Sequence, residues 1–303
     1  MRRANMKPTV GIIGGAGPLA TVDIEQKILS ATQKTVNTLT DQDYFNLVVF
    51  NYCGTHDRND SVFFGKSDPI NQYVKYIASI SALEVDLILL ACNTAHMYLP
   101  VLQERTKIPI ISIIEKTLHY IQMKFPECSR VGLISTKATQ EKKIYHNLFS
   151  RNAIDIIDVM PSTQDSIMKA IYLIKAGVEM THEYTFVENT RFFSKATIEQ
   201  AKMLKGHPYK EILLQPKLPN PKFIVEEAIE ELKRKGCRHI IFGCTELPLV
   251  IPYLKKDPAL HFIDPNTIIA EAIVETLLDI DNQAWSNIRV LSNKRLSNKR
   301  RYG

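Results

Sequence analysis

Two cysteines of this 303-residue chain lie in matching sequence contexts, and a matched pair of thiols can perform acid–base chemistry on one carbon. Cys92 and Cys244 each follow a run of apolar residues, and a shift of 152 positions aligns them. The same shift aligns Pro100 with Pro252. A thiolate on one side of a carbon can remove a proton while a thiol on the opposite side returns one. The spacing therefore predicts a cleft with one sulfur on each side, both within proton-transfer reach of the same carbon.

Each thiol is predicted to lie between the end of a strand and the beginning of a short helix. Unpaired amides and the positive end of a helix dipole lower the pKa of a thiol, so both cysteines are expected to form thiolates readily. Backbone amides and short polar side chains there can hold the carboxylate and ammonium groups of an amino acid. The candidates for that role are Asn93, Thr94, Thr245 and Glu246. Glu246 is also a candidate to orient Cys244.

The elements that must position these residues recur once along the chain. Strands and helices alternate, and TVGIIG at Thr9–Gly14 is echoed by RVGLIS at Arg130–Ser135. This pattern predicts the α/β class, with two similar parallel-sheet halves related by pseudo-twofold symmetry. Parallel sheets bind ligands at the carboxyl ends of their strands, so the active site is expected in the cleft between the halves.

The predicted N-terminal half covers residues 6–113 and is completed by a closing helix at 266–280. The C-terminal half covers residues 114–263, with an insertion at about 178–218 that reads as a helical excursion followed by a loop. Residues 284–303 contain the sequence LSNKR twice and are predicted to be a basic, disordered tail.

Composition excludes several classes of protein. The formal net charge of +6 equals the number of Lys and Arg residues after Asp281, where no acidic residue follows, so the body carries no basic surface for nucleic acid. No apolar stretch is long enough to span a membrane, and the N-terminus lacks the pattern of a signal peptide, so the cytoplasm is the expected location. Five cysteines without a CxxC pair are typical of reduced thiols, and the eight histidines show no metal-binding spacing.

Three motifs carry a resemblance to a known family. GGAGPLAT at 14–21, CNTAH at 92–96 and GCTE at 243–246 resemble the aspartate/glutamate racemase family, most of all its aspartate racemase branch. The resemblance implies racemisation by two cysteine bases, without a cofactor or a metal, on a small amino acid such as L-aspartate. It also implies a homodimer.

The resemblance further implies residues that bind the side-chain carboxylate of the substrate. Arg58 lies in a segment similar to the family's loop after the second strand, and Lys175 lies in a segment similar to one that supplies a lysine. Asn51 is a further candidate in the same loop. A guanidinium can grip a carboxylate with two hydrogen bonds. His96 is interpreted as a structural hydrogen-bonding residue behind Cys92, and Cys53, Cys128 and Cys237 as thiols without catalytic roles.

Other functions stay open on the sequence alone. A glutamate racemase, a broad-specificity amino-acid racemase, and a related isomerase or decarboxylase share the same motifs. GAGPLA at 15–20 fits the GxGxxA fingerprint of an NAD-dependent oxidoreductase, although the second strand ends at Asn51 and not at the acidic residue that binds the ribose. A non-catalytic binding protein is the remaining alternative.

Overall fold

The computed structural model describes residues 7–178, 180, 184–186 and 198–299. In the N-terminal half, four parallel strands form a sheet in the order β2-β1-β3-β4. The inner strands are buried along their whole length, as expected where helices cover both faces of a parallel sheet. The strands are β1 (Thr9–Gly14), β2 (Asn46–Asn51), β3 (Leu87–Leu90) and β4 (Ile110–Ile111).

The C-terminal half repeats this sheet with the same strand order. Its strands are β5 (Arg130–Ser135), β6 (Asp155–Asp158), β9 (His239–Gly243) and β10 (His261–Ile263). They lie in the order β6-β5-β9-β10 and are all parallel, so β5 corresponds to β1 and β9 to β3. The predicted fold class, two similar parallel-sheet α/β halves, is confirmed.

Proline is the first residue of four of the longer helices. The N–H group at this position makes no intrahelical hydrogen bond, so proline can occupy it without losing one. These helices are α1, α8, α10 and α11, and Asn220 caps α10 through its side chain. The helices of the described residues are α1 (Pro18–Val36), α2 (Arg58–Phe64), α3 (Ile70–Ser81), α4 (Leu99–Gln103), α5 (Ile113–Lys124), α6 (Lys137–Glu141), α7 (His146–Ser150), α8 (Pro161–Lys175), α9 (Ile198–Leu204), α10 (Pro221–Arg234) and α11 (Pro265–Lys299).

One hydrophobic core is shared by the two halves. It combines one face of each sheet with residues of α1, α5 and α11, among them Ile24, Leu118 and Ile273. Helix α11 follows the second sheet in sequence but packs against α1 and α5. Two smaller cores lie on the other face of each sheet, and Cys92 belongs to one and Cys244 to the other.

The last helix differs from the prediction at both ends. It begins at Pro265, and Asp264 caps it by accepting hydrogen bonds from the backbone N–H groups of Asn266 and Thr267. It continues through Lys299, so helical backbone extends into the segment for which a disordered tail was predicted. The chain from residue 266 to 302 contains neither proline nor glycine, the residues that most often end a helix.

The predicted insertion at 178–218 is described only in part, since residues 179, 181–183 and 187–197 lie outside the described residues. Its second part contains α9 and a 3₁₀ helix at Lys210–Leu214, where a loop was predicted. Two short strands, β7 (Tyr184–Phe186) and β8 (Lys217–Pro219), pair antiparallel apart from the main sheets.

Candidate active site

The repeated sheet places both cysteines at equivalent positions. Cys244 directly follows β9, and Cys92 follows β3 after one residue. Both strands lie inside their sheets, and a 3₁₀ helix follows each cysteine, at Thr94–Tyr98 and at Leu247–Tyr253. Each cysteine is 5% exposed. That the two sulfur atoms lie within proton-transfer reach of one carbon stays a prediction.

Cys244 is held as a neutral thiol, which corrects the expectation that both cysteines form thiolates readily. Its Sγ donates a hydrogen bond to Glu246 Oε2 at 2.9 Å. Burial raises the pKa of Cys244 well above its usual value, and the Glu246 carboxylate raises it further, while Lys175 offsets only part of this rise. Short 3₁₀ helices supply little helix dipole, so burial and the neighbouring carboxylate dominate.

Glu246 connects the second thiol to a partly buried lysine and to the first half of the chain. Its side chain is 2% exposed, and Lys175 Nζ lies 3.4 Å from its Oε1. Burial alone lowers the pKa of Lys175, but the carboxylates of Glu246 and Asp57 outweigh burial and raise it, so the ammonium group stays charged. Oε1 also packs against Gly17, where a Cβ atom would overlap it. The glycine turn before α1 therefore makes room for Glu246.

Arg58 is buried at the first position of α2, beside the first thiol. Its guanidinium donates to the carbonyl of Ala16 at 2.6 Å and to that of His56 at 3.1 Å, while Nε has no hydrogen-bond partner within the described part of the chain. Burial alone lowers the pKa of Arg58, but its interactions with Cys92 and then with Asp57 outweigh burial and raise it. A charged donor without a partner remains available for an anionic ligand.

The residues after Cys92 face the C-terminal half. Asn93 accepts a hydrogen bond from the hydroxyl of Tyr145 at 2.6 Å, and its buried Nδ2 has no hydrogen-bond partner among the residues that the structure describes. The hydroxyl of Thr94 lies 2.9 Å from that of Thr136 and 3.0 Å from that of Thr139. Asn93 thus keeps a free donor, whereas the hydroxyl of Thr94 is already engaged in joining the two halves.

Thr245 and Asn51 are the two remaining predicted residues, and they lie in different surroundings. The hydroxyl of Thr245 donates to Glu246 Oε2 at 3.4 Å, and its carbonyl accepts from Asn266 Nδ2 at 2.9 Å. Asn51 ends β2 and is exposed. It pairs with Gly14 at the carboxyl end of β1, and its role in substrate binding stays a prediction.

His96 has the structural role that the sequence predicts. Its Nδ1 lies 2.9 Å from the carbonyl of Cys92, and its Nε2 accepts from the backbone N–H of Ile113 at 3.0 Å. Nδ1 therefore carries the proton, and the ring is neutral. Burial lowers the pKa of His96 to about 4. The imidazole fixes the backbone that carries Cys92 and leaves no ring nitrogen free to act as a base.

Sequence reasoning missed a group of charged and polar residues around Arg58. They are Asp57, Asp60, Tyr172, His207 and Lys210, joined by hydrogen bonds and ion pairs. Asp57 caps α2, but this helix lies where the sequence predicts a loop, so the capping role of Asp57 was not predicted. The last two lie in the insertion, and nothing in their local sequence indicates that they fold onto α2.

Features elsewhere in the described residues do not define a competing site. A groove of about 490 Å³ on the C-terminal half is lined by residues of α10 and of β10, and it contains none of the predicted site residues. Within the described ranges, no group of three or more His, Cys, Asp or Glu side chains is arranged to hold a metal ion. None of the helices in that part of the chain combines the length and the apolar content that crossing a bilayer requires.

Comparison with known proteins agrees with this architecture. The structure of the Picrophilus torridus aspartate racemase is similar, with a TM-score of 0.64 and 23% identity over 89% of this chain and 94% of that one. Residues 13–192, more than half of the chain, match the Asp/Glu/Hydantoin racemase family. The chain therefore belongs to this family of isomerases, and the resemblance drawn from the three motifs is confirmed.

Two curated relatives show how broad the family is. The broad specificity amino-acid racemase RacX of Bacillus subtilis is 27% identical over 176 residues, which cover 57% of this chain and 74% of the relative. A glutamate racemase of Fusobacterium nucleatum is 24% identical over 254 residues, which cover 82% of this chain and 76% of the relative. These similarities support a racemase without specifying its substrate.

Proposed function

We propose that this protein is an amino-acid racemase that interconverts L- and D-aspartate without a cofactor, using Cys92 and Cys244 as its two bases. The observation that carries the proposal is the equivalent placement of the two buried cysteines at the ends of β3 and β9. Two unrelated structural cysteines have no reason to occupy the same position of a repeated unit.

In the proposed reaction, a thiolate on one face removes the α-proton, and the thiol on the other face donates its proton to the resulting carbanion. The carbon is returned with inverted configuration, and the two sulfur atoms have exchanged protonation states. The hydrogen bond from Cys244 to Glu246 supports Cys244 as the thiol at the start, which assigns the first abstraction to Cys92. Both groups must reach the same carbon, on opposite faces.

Two cations, the buried Arg58 and the partly buried Lys175, support a substrate with a second carboxylate. Arg58 retains an unpartnered Nε, and Lys175 lies between the carboxylates of Glu246 and Asp57 with its charge maintained. The free Nδ2 of Asn93 is a donor for the α-carboxylate, and Glu246 is an acceptor for the ammonium group. A side chain ending in a carboxylate would satisfy both cations, whereas an apolar side chain would leave them buried without a ligand.

A broad-specificity racemase is the second candidate, because the RacX similarity extends over 176 residues of this chain and that relative's name specifies no single substrate. The test incubates the purified protein with L-aspartate, L-glutamate or L-alanine in deuterated water. We expect D-aspartate carrying deuterium at the α-carbon, with kcat/KM at least about tenfold above that for the other two. Chiral chromatography and mass spectrometry measure both. Absence of α-proton exchange with every amino acid would contradict the racemase proposal, and similar rates with all three would favour broad specificity.

A further inference from the structure

Lys210 belongs to the insertion, yet it lies against the residues that flank Arg58. Its Nζ is 3.0 Å from Asp60 Oδ2 and 3.5 Å from Asp57 Oδ2. The same ammonium group lies 4.9 Å from the centre of the Tyr172 ring, which holds it by a cation–π contact. One cation of the insertion therefore bridges two carboxylates of the segment that presents Arg58.

His207 fixes the backbone that carries Lys210. Its Nδ1 accepts hydrogen bonds from the backbone N–H groups of Tyr209 at 3.3 Å and Lys210 at 3.1 Å. Its Nε2 then donates to Asp60 Oδ1 at 2.8 Å. His207 and Asp60 are both buried. The insertion is thus bound to α2 through an imidazole that is satisfied at both nitrogens, and Lys210 is held at a defined position.

Asp57 is the carboxylate that competes with a substrate. It caps α2 by accepting from the N–H groups of Asn59 and Asp60, and its Oδ2 accepts from the hydroxyl of Tyr172 at 2.9 Å. Although burial alone raises the pKa of Asp57, its interactions with Lys175 and Arg58 hold it well below the usual range, and Lys210 contributes to this. Asp57 is therefore a permanent negative charge beside both cations of the proposed substrate site.

We propose that Lys210 is a positioning residue for the site that binds the side-chain carboxylate of a dicarboxylic ligand. By neutralising Asp57 and Asp60, it prevents Asp57 from drawing Arg58 and Lys175 away from the ligand, and it fixes the first turn of α2. This inference rests on the proposed function for the identity of the ligand. It assigns a part in substrate affinity to the insertion, which lies outside the repeated α/β unit of this chain.

Binding of succinate, a dicarboxylate that cannot be racemised, tests this inference apart from catalysis. Calorimetry on the full-length wild-type protein is compared with Lys210→Met, Lys210→Gln and Lys210→Arg. We expect the dissociation constant to rise about tenfold in the Met and Gln variants and to stay within about threefold of wild type in the Arg variant, which keeps the charge. Lys233→Met is the matched control, because it removes the ion pair of Lys233 with Asp257 away from the site.

The kinetic counterpart is the KM for L-aspartate. It should rise about tenfold in Lys210→Met while kcat stays within about twofold, since only binding of the carboxylate is weakened. A structural role alone would lower stability without this split, and the thermal unfolding midpoint of each variant measures that effect. Unchanged succinate affinity in a folded Met or Gln variant, or no succinate binding by the wild-type protein, overturns the inference. Succinate binding without any racemisation would instead contradict the proposed function.

Discussion

The surroundings of Cys92 and of Cys244 differ in charge, although the two cysteines occupy the same place in two copies of one sheet. The second residue after each cysteine makes the difference. Thr94 is neutral, and its hydroxyl is engaged with two other threonine hydroxyls. Glu246 is a carboxylate that accepts a hydrogen bond from the Cys244 thiol. Repetition of the fold therefore fixes where the sulfur atoms lie, and the second position after the cysteine places a carboxylate beside Cys244 and a neutral hydroxyl group in the other half.

A carboxylate beside one thiol alone suits a reaction that needs one acid and one base at the same time. It biases the unliganded protein toward the form in which Cys244 is protonated. The ammonium group of a substrate, which can pair with Glu246, would reduce that bias once it is bound.

The largest effect is expected from removing either sulfur atom. Cys92→Ala and Cys244→Ala should each lower the racemisation rate by about a thousandfold, because each removes one of the two proton carriers. The variants should differ from one another in the α-proton exchange that remains: each retains one base, and each base faces one enantiomer. Exchange of L- and of D-aspartate with deuterated water, followed by proton magnetic resonance, measures this difference.

Cys128→Ser is the control for these variants. Cys128 lies before β5, where its thiol contacts His239 at 3.3 Å, at the end of the sheet opposite the candidate site. Its replacement should leave the racemisation rate unchanged. Full activity in either alanine variant would show that the corresponding sulfur is not a base. The proposal that both cysteines act on one carbon would then be wrong.

A smaller effect is expected from removing the negative charge at the second position after Cys244. Glu246→Gln keeps an acceptor for the Cys244 thiol but removes the negative charge, so the pKa of Cys244 should fall. The pH dependence of alkylation of the Cys244 peptide, followed by mass spectrometry, measures this pKa. Thr94→Val changes the equivalent position of the other half and should leave the pKa of Cys244 unaltered. An unchanged pKa in Glu246→Gln would mean that burial alone sets it.

Much of the fold could be predicted from the sequence because it follows from local patterns that occur twice. The apolar runs that become β1, β3, β5 and β9, and the prolines that begin the long helices, are each readable within a few residues. The shift that aligns Cys92 with Cys244 also aligns β3 with β9 and β4 with β10. The end of α11 was less predictable, since basic composition indicates disorder while the absence of proline and glycine permits a helix.

The candidate site was predictable only where a motif lies directly beside a strand end. Cys92, Asn93, Cys244 and Glu246 belong to such motifs, and Arg58 came from the resemblance. The proton affinity of Cys244 could not be inferred, because it depends on burial and on a carboxylate oxygen placed by tertiary packing. The contribution of Lys210 depends on a contact between positions 150 residues apart, which no local pattern indicates.

The smallest effect concerns His96, which supports Cys92 and corresponds to Pro248 beside Cys244. Burial lowers the pKa of His96 from 6.5 to about 4, so the unfolded chain binds a proton between these values and the folded chain does not. The free energy of unfolding contributed by this residue is therefore complete above about pH 6.5, and it falls by up to about 3 kcal/mol as the pH drops to about 4.

His96→Gln should flatten this pH dependence, since glutamine can accept from the N–H of Ile113 but does not titrate. Denaturant unfolding of both proteins between pH 4 and 7 measures it. His119→Gln is the control, because His119 is exposed on α5 and its replacement should leave the slope unaltered. If His96→Gln keeps the wild-type slope, another group causes the acid sensitivity. If the slope is lost, the backbone that carries Cys92 depends on the neutral imidazole of His96. The backbone that carries Cys244 has Pro248 at the aligned position and does without such a group.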